Sequence, residues 1–122
     1  MNLHILFVDD EVPIRETLSL YFKMKKMAVT TAATGDEAKK LAETTPFNLM
    51  ILDIDLGGEN GLDLLEFFKR NYPAVPVIMF TSQGYDPVLL EEATAKGANA
   101  FMSKGESLDN LMKEVQRVMQ PV

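Results

Sequence analysis

Three aspartates, a threonine and a lysine carry the chemistry this sequence can do. Asp9 and Asp10 follow the apolar run Leu3-His4-Ile5-Leu6-Phe7-Val8. Asp53 follows Leu49-Met50-Ile51-Leu52, with Asp55 two residues on. Thr81 follows Val75-Pro76-Val77-Ile78-Met79-Phe80, and Lys104 stands just after Ala98-Asn99-Ala100-Phe101-Met102. Carboxylates that converge in one crevice repel, and each resists ionising. A hard divalent cation removes the repulsion. Oxygen donors alone, with no His and no Cys, select Mg²⁺ or Mn²⁺ over zinc. Asp9, Asp10 and Asp53 set against Lys104 leave two uncompensated negative charges, which one divalent cation cancels. The metal thereby admits an anionic phosphoryl donor.

The elements that must position these residues alternate. The five apolar runs are the four above and the more polar Met27-Ala28-Val29-Thr30-Thr31-Ala32. Runs ending at Val8, Leu52 and Phe80 are apolar on both faces, as central strands of a parallel sheet are. The Met27–Ala32 run reads as an edge strand. Between them, residues 12–25 carry Ile14, Leu18, Tyr21 and Phe22 at helical spacing. Thr34-Gly35-Asp36-Glu37 is a capping box that opens a helix through about Glu43. Residues 61–71 carry Leu62, Leu65 and Phe68 or Phe67. Asp86-Pro87 supplies a cap and an N1 proline for a helix ending at Lys96-Gly97. Leu108, Leu111, Met112, Val115, Val118 and Met119 form one stripe, which is core before it is partner surface.

The order is (βα)₅, an α/β fold with a parallel five-stranded sheet, helices on both faces and right-handed crossovers. Ligands of such folds sit beyond the carboxyl ends of the strands. If the strand order is 2-1-3-4-5, strands one and three are neighbours and Asp9, Asp10 and Asp53 lie within a few ångströms of one another.

Composition excludes several classes. The 122 residues form one domain, 1–122. The absence of Cys rules out disulfides, thiolate zinc, iron–sulfur clusters and a thiol nucleophile. A net charge of −6 without a basic patch argues against direct nucleic-acid binding. No apolar run approaches a membrane span, and Met1-Asn2-Leu3-His4 has no basic leader. The expected location is cytoplasmic.

The sequence resembles the receiver domain of two-component response regulators, and is chemotaxis-receiver-like over essentially its whole length. Four pieces carry the resemblance. They are Phe7-Val8-Asp9-Asp10-Glu11, Leu52-Asp53-Ile54-Asp55-Leu56 with Gly61-Leu62-Asp63-Leu64-Leu65, Pro76 to Ser82, and Gly97 to Lys104. The resemblance implies the doubly wound, flavodoxin-like order 2-1-3-4-5. It implies a phosphoacceptor switch of a His-Asp phosphorelay rather than an enzyme. Asp53 would take a phosphoryl group from a partner histidine kinase or phosphotransfer protein, and the domain would assist its own phosphorylation and dephosphorylation. Asp10 and Asp53 would ligate Mg²⁺, with Asp9 acting directly or through a water and the Asp55 backbone carbonyl as a further ligand. Lys104 and Thr81 would each meet a phosphoryl oxygen. Thr81 and Phe101 would be the switch pair. The fourth helix, fifth strand and fifth helix would form the output face toward a partner protein or domain, and the expected homodimer surface.

Two departures stand out. Gly105 follows Lys104 where the family usually has proline, so a trans bond is expected. Position 101 is Phe rather than Tyr and lacks a hydroxyl. Asp55 and Gln83 occupy positions that in this family look onto the attacking water. Elsewhere the plain readings prevail. Gly57-Gly58 fits neither phosphate-loop spacing and reads as a turn. His4 lies at the amino end of a strand, far from the crevice. The eight Met are mostly core filler.

Two other functions are weighed. Leu52-Asp53-Ile54-Asp55 also resembles the Asp-x-Asp strand end of haloacid-dehalogenase-type phosphatases, with Asp53 as nucleophile and Asp55 as acid/base. In those enzymes the acidic pair comes last. Here it comes first, and no length remains for a cap domain. A pseudo-receiver, a protein-binding module that never takes phosphate, is opposed by the intact Asp9, Asp10, Asp53, Thr81 and Lys104.

Overall fold

The computed structural model describes residues 3–120, so readings that touch Met1, Asn2, Pro121 and Val122 lie outside the described residues. Five parallel strands form one sheet: β1 (His4–Val8), β2 (Ala28–Ala32), β3 (Leu49–Leu52), β4 (Val77–Thr81) and β5 (Ala100–Ser103). Their spatial order is β2-β1-β3-β4-β5, the doubly wound order expected. Five helices connect and follow them: α1 (Val12–Met24), α2 (Gly35–Thr44), α3 (Gly61–Asn71), α4 (Pro87–Ala95) and α5 (Leu108–Met119).

The sheet divides the core in two. Leu6, Val8, Met50, Leu52, Val77 and Met79 pack on one face against α2, α3 and α4. Ile5, Phe7, Leu49, Ile51, Ile78 and Phe80 pack on the other against Leu18 and Phe22 of α1 and Leu111, Met112 and Val115 of α5. The three central strands are buried on both faces, which is why they read as unbroken apolar runs. β2 is an edge strand and only partly buried, as its threonines indicate.

Local chemistry sets the helix ends. Thr34 Oγ1 accepts from the Glu37 amide, while Glu37 Oε1 accepts from the Ala33 amide rather than from that of Thr34, one residue off the standard box. Asp86 Oδ1 accepts from the Val88 amide before Pro87 starts α4. Asn60 and Ser107 cap α3 and α5 in the same way. Boundaries shift slightly from the sequence reading. The fourth and fifth strands begin about two residues later, at Val77 and Ala100 rather than at Val75 and Ala98. Gly57 and Gly58, both at positive φ, turn a two-residue antiparallel ladder of Asp55–Leu56 against Glu59–Asn60. His4 meets Thr30 Oγ1 at 2.7 Å and Phe47 edge-on, a structural role. Among the described residues every peptide bond is trans, Lys104–Gly105 included.

Candidate functional site

Strand register brings the sequence's chemical residues together. Val8 of β1 stands beside Leu52 of β3, so the next residues, Asp9 and Asp53, leave the sheet side by side. The Asp53 amide donates to the Val8 carbonyl at 3.0 Å and fixes that level. Thr81 pairs with Ser103 across β4 and β5, and the Lys104 amide donates to the Thr81 carbonyl at 2.7 Å. The register therefore brings Asp9, Asp10, Asp53 and Lys104 into one crevice at the carboxyl ends of the strands.

Lys104 occupies its centre. Its Nζ lies 2.6 Å from Asp9 Oδ2, 2.9 Å from Asp53 Oδ2 and 3.4 Å from Glu11 Oε1. Asp9 and Asp53 are buried; Asp10 and Glu11 are exposed. Carboxylate oxygens from all four lie within 4.8 Å of one another. Four carboxylates against one ammonium leave three uncompensated charges, one more than the sequence reading counted.

Burial raises the Asp53 carboxyl above the ordinary aspartate value, and the nearby Asp9 charge adds to this. The ammonium of Lys104 and the Asp55 amide, which donates to Asp53 Oδ1 at 3.2 Å, offset only part of the rise. At Lys104 burial acts in the opposite sense, toward neutrality. Hydrogen bonding and charge from Asp9 and Asp53 outweigh it, and the ammonium is held above its usual range.

The donor set fits a hard divalent cation. Asp9 Oδ2 is buried and rests against the Lys104 ammonium at 2.6 Å. An anionic oxygen in that condition is suited to a cation. Asp55 is exposed at the start of the two-residue ladder. Thr81 is buried, and its Oγ1 accepts from the Gln83 amide at 3.1 Å. Phe101 is half-buried on the α2–α3–α4 side of the sheet, its ring 6.4 Å from that of Tyr85.

The profile of the response regulator receiver domain matches residues 5–116. The chain belongs to that family. Receiver domains are regulatory phosphoacceptor modules of two-component systems. This receiver is 34% identical over 110 residues to the response regulator protein PilR of Pseudomonas aeruginosa, covering 90% of this chain and 24% of that protein. It is 36% identical over 122 residues to the two-component response regulator ORR27 of Oryza sativa subsp. japonica, covering 95% of this chain and 19% of the relative. The chain thus spans about a quarter or less of these relatives. Among solved structures it resembles the CheY-like receiver domain protein of Methanospirillum hungatei, with a TM-score of 0.91, 26% identity and coverage of 98% and 94% of the two chains. Chemotaxis protein CheY4 of Vibrio cholerae gives a TM-score of 0.91 at 28% identity, covering 97% and 99%.

Arg15 and Gly61 have no place in the sequence reading of the crevice, and Glu11 enters it only as the neighbour of Asp9-Asp10. Glu11 is the fourth carboxylate and stands at the N-cap of α1, just before Val12. Its amide donates to Asp9 Oδ1 at 2.9 Å. Arg15, one turn into α1, donates to the Asp9 carbonyl at 2.7 Å. Gly61 lies against the Asp53 backbone: a Cβ there would overlap the Asp53 carbonyl oxygen. Nothing in spacing announces that contact.

Proposed function

We propose that this receiver is a Mg²⁺-dependent phosphoacceptor switch, driven by a sensor histidine kinase or phosphotransfer protein and acting on a separate output protein or domain in the cytoplasm. The observation that carries the reading is the Lys104 ammonium, shared between Asp53 and Asp9 at 2.9 and 2.6 Å in a crevice whose acidity it does not neutralise.

Asp53 is the nucleophile. One of its oxygens attacks the phosphorus of a phosphohistidine. The P–N bond breaks, its electron pair stays on the imidazole, and an aspartyl phosphate forms. Lys104 moves from the Asp53 oxygen to a phosphoryl oxygen. The Asp55 amide, already aimed at Asp53 Oδ1, orients the carboxylate. The carboxylates of Asp9, Asp10 and Asp53 and the Asp55 backbone carbonyl would hold Mg²⁺, with Mn²⁺ as a substitute. When bound, the ion supplies charge neutralisation and polarises the transferring phosphoryl group. Hydrolysis later returns Asp53 to the carboxylate, with Asp55 and Gln83 beside the path of the water. Thr81 donates its hydroxyl hydrogen to the phosphoryl group, and the β4–α4 connection follows it. Phe101 then buries more of its ring, and the face formed by α4, β5 and α5 changes shape; a homodimer would form through that face.

Incubation with Mg²⁺ and a small acyl phosphate, read by intact mass, tests this. The expected result is the gain of one phosphoryl group by the parent and none by Asp53→Asn. Equal uptake in that variant would move the acceptor elsewhere. Asp10→Ala loses uptake at low Mg²⁺ and regains it gradually at high Mg²⁺, since one ligand of several is missing.

A further inference from the structure

A groove of about 910 Å³ lies between α1 and the free edge of β2. We infer that it binds an extended acidic segment of a partner protein, which adds to the sheet as a strand beside β2.

The sheet edge is the first reason. The Ala28 amide donates to the Leu3 carbonyl, and the Ala32 carbonyl accepts from the Asp9 amide. Successive residues of a strand turn their backbone groups to opposite sides. Ala28, Thr30 and Ala32 therefore face β1, while the amides and carbonyls of Val29 and Thr31 face outward. The same alternation puts the Val29 and Thr31 side chains on the α1 face, and both line the groove. Outward edges are commonly blunted by a charge or proline within the strand. Ala28-Val29-Thr30-Thr31-Ala32 has neither.

Charge is the second reason. Arg15, Lys23 and Lys26 line the groove against the single acid Glu16, although the whole chain carries −6. Lys26 sits at φ 62°, a conformation that favours glycine, yet a long cation stands there at the entry to β2. Leu20, 61% exposed, and Met27 supply apolar surface between these charges. A segment alternating acidic and apolar residues satisfies both. Its backbone pairs with Val29 and Thr31, and every second side chain enters the groove. A second copy of this chain is the poorer occupant, because each copy brings three basic groups against one acid.

The probe is an acetylated, amidated peptide of about seven residues alternating Glu and Val, a length that covers one short strand. The full chain is titrated with it while backbone amides are followed by NMR. Expected are saturable shifts at Val29 and Thr31, with hydrogen exchange at those two amides slowed about tenfold. Lys23→Glu combined with Lys26→Glu weakens binding about tenfold; Lys23→Glu alone, on the exposed side of α1, gives a smaller loss and serves if the pair fails to fold. The same peptide with Lys in place of Glu does not bind. Phosphoryl uptake by these variants stays at the parent level, so this inference and the phosphoacceptor reading fail separately. Shifts without protection of Val29 and Thr31 would mean surface electrostatics alone and overturn the proposal, as would no binding. Protection of those amides that rises with protein concentration in the absence of peptide would make a second copy the occupant and overturn it too.

Discussion

The hydroxyl of Tyr85 donates to Glu106 Oε1 at 3.1 Å. This contact ties the segment between β4 and α4 to the segment between β5 and α5, and the Tyr85 ring lies 6.4 Å from that of Phe101. The Tyr85 hydroxyl is raised above the ordinary tyrosine value, chiefly by burial and then by the hydrogen bond to Glu106. Its neutral form is thus the one the fold favours. The stability this contributes is complete below the unfolded value of 10.0 and is lost as pH rises through the folded one. Ring-carbon NMR of Tyr85 is expected to titrate above that value. Glu106→Gln should bring the midpoint down without reaching it, since burial remains the larger cause. A midpoint unmoved by Glu106→Gln would remove Glu106 as a cause.

Lys104→Met removes the one cation that, among the described residues, pairs with the two buried carboxylates Asp9 and Asp53. Breaking a buried pair on one side costs about 3–5 kcal/mol. Urea unfolding in chelator should show a loss of that order. Added Mg²⁺ should then stabilise the variant more than the parent, because the crevice has become more anionic. An equal Mg²⁺ increment in both would place the ion outside this group of carboxylates.

Gly61→Ala forces its Cβ into the backbone of Asp53 and Ile54. Overpacking of this kind costs about 1–3 kcal/mol. The displaced residue is Asp53, the proposed acceptor, so phosphoryl uptake should fall along with stability. Gly105→Ala is the control: its added Cβ meets only the Ser103 hydroxyl, at 3.4 Å, and neither property should change much.

Lys26→Gly should stabilise the chain by about 1 kcal/mol, the cost of holding a non-glycine residue in the left-handed region. Thermal melts of the two proteins at one pH measure it. No gain would mean that the lysine side chain repays its backbone through contacts along β2.

Thr81→Ala should still accept a phosphoryl group but transmit it poorly. In the proposed switch its hydroxyl would link a phosphorylated Asp53 to the β4–α4 segment through a charge-assisted hydrogen bond worth about 1.5–3 kcal/mol. That difference shifts a two-state ratio roughly ten- to a hundredfold. Side-chain NMR of Phe101, with Mg²⁺ and beryllofluoride, compares the two proteins. An equal response in both would remove Thr81 from the chain of causes.

The fold was legible because its signals are redundant. Unbroken apolar runs such as Ile5–Val8 and Leu49–Leu52 require a strand covered on both faces, and Asp86-Pro87 and Thr34 mark helix starts by their own hydrogen bonds. The crevice was legible for a related reason: in a parallel sheet the residues that finish adjacent strands must converge. What stayed hidden depends on distances across elements. Glu11 joins the carboxylates because α1 begins at that level, and Gly61 matters because the two-residue ladder folds back onto Asp53. The Tyr85–Glu106 contact joins residues 21 apart in sequence through two irregular segments, where no periodicity operates.

α4 differs from the other helices in how little holds it. Its only fully buried residue is Ala93, whereas α3 buries Gly61, Leu62, Leu64, Leu65 and Phe68. Lifting α4 from the sheet therefore exposes little additional apolar surface. Its opening should carry a small denaturant m-value and a free energy well below that of global unfolding. Asp9 and Asp53, anchored by the central strands, stay in place when it opens. The expectation is a low-energy partial unfolding next to Thr81 and Phe101 and a high-energy one around the carboxylates, so that binding events worth only a few kcal/mol would have leverage on the first alone.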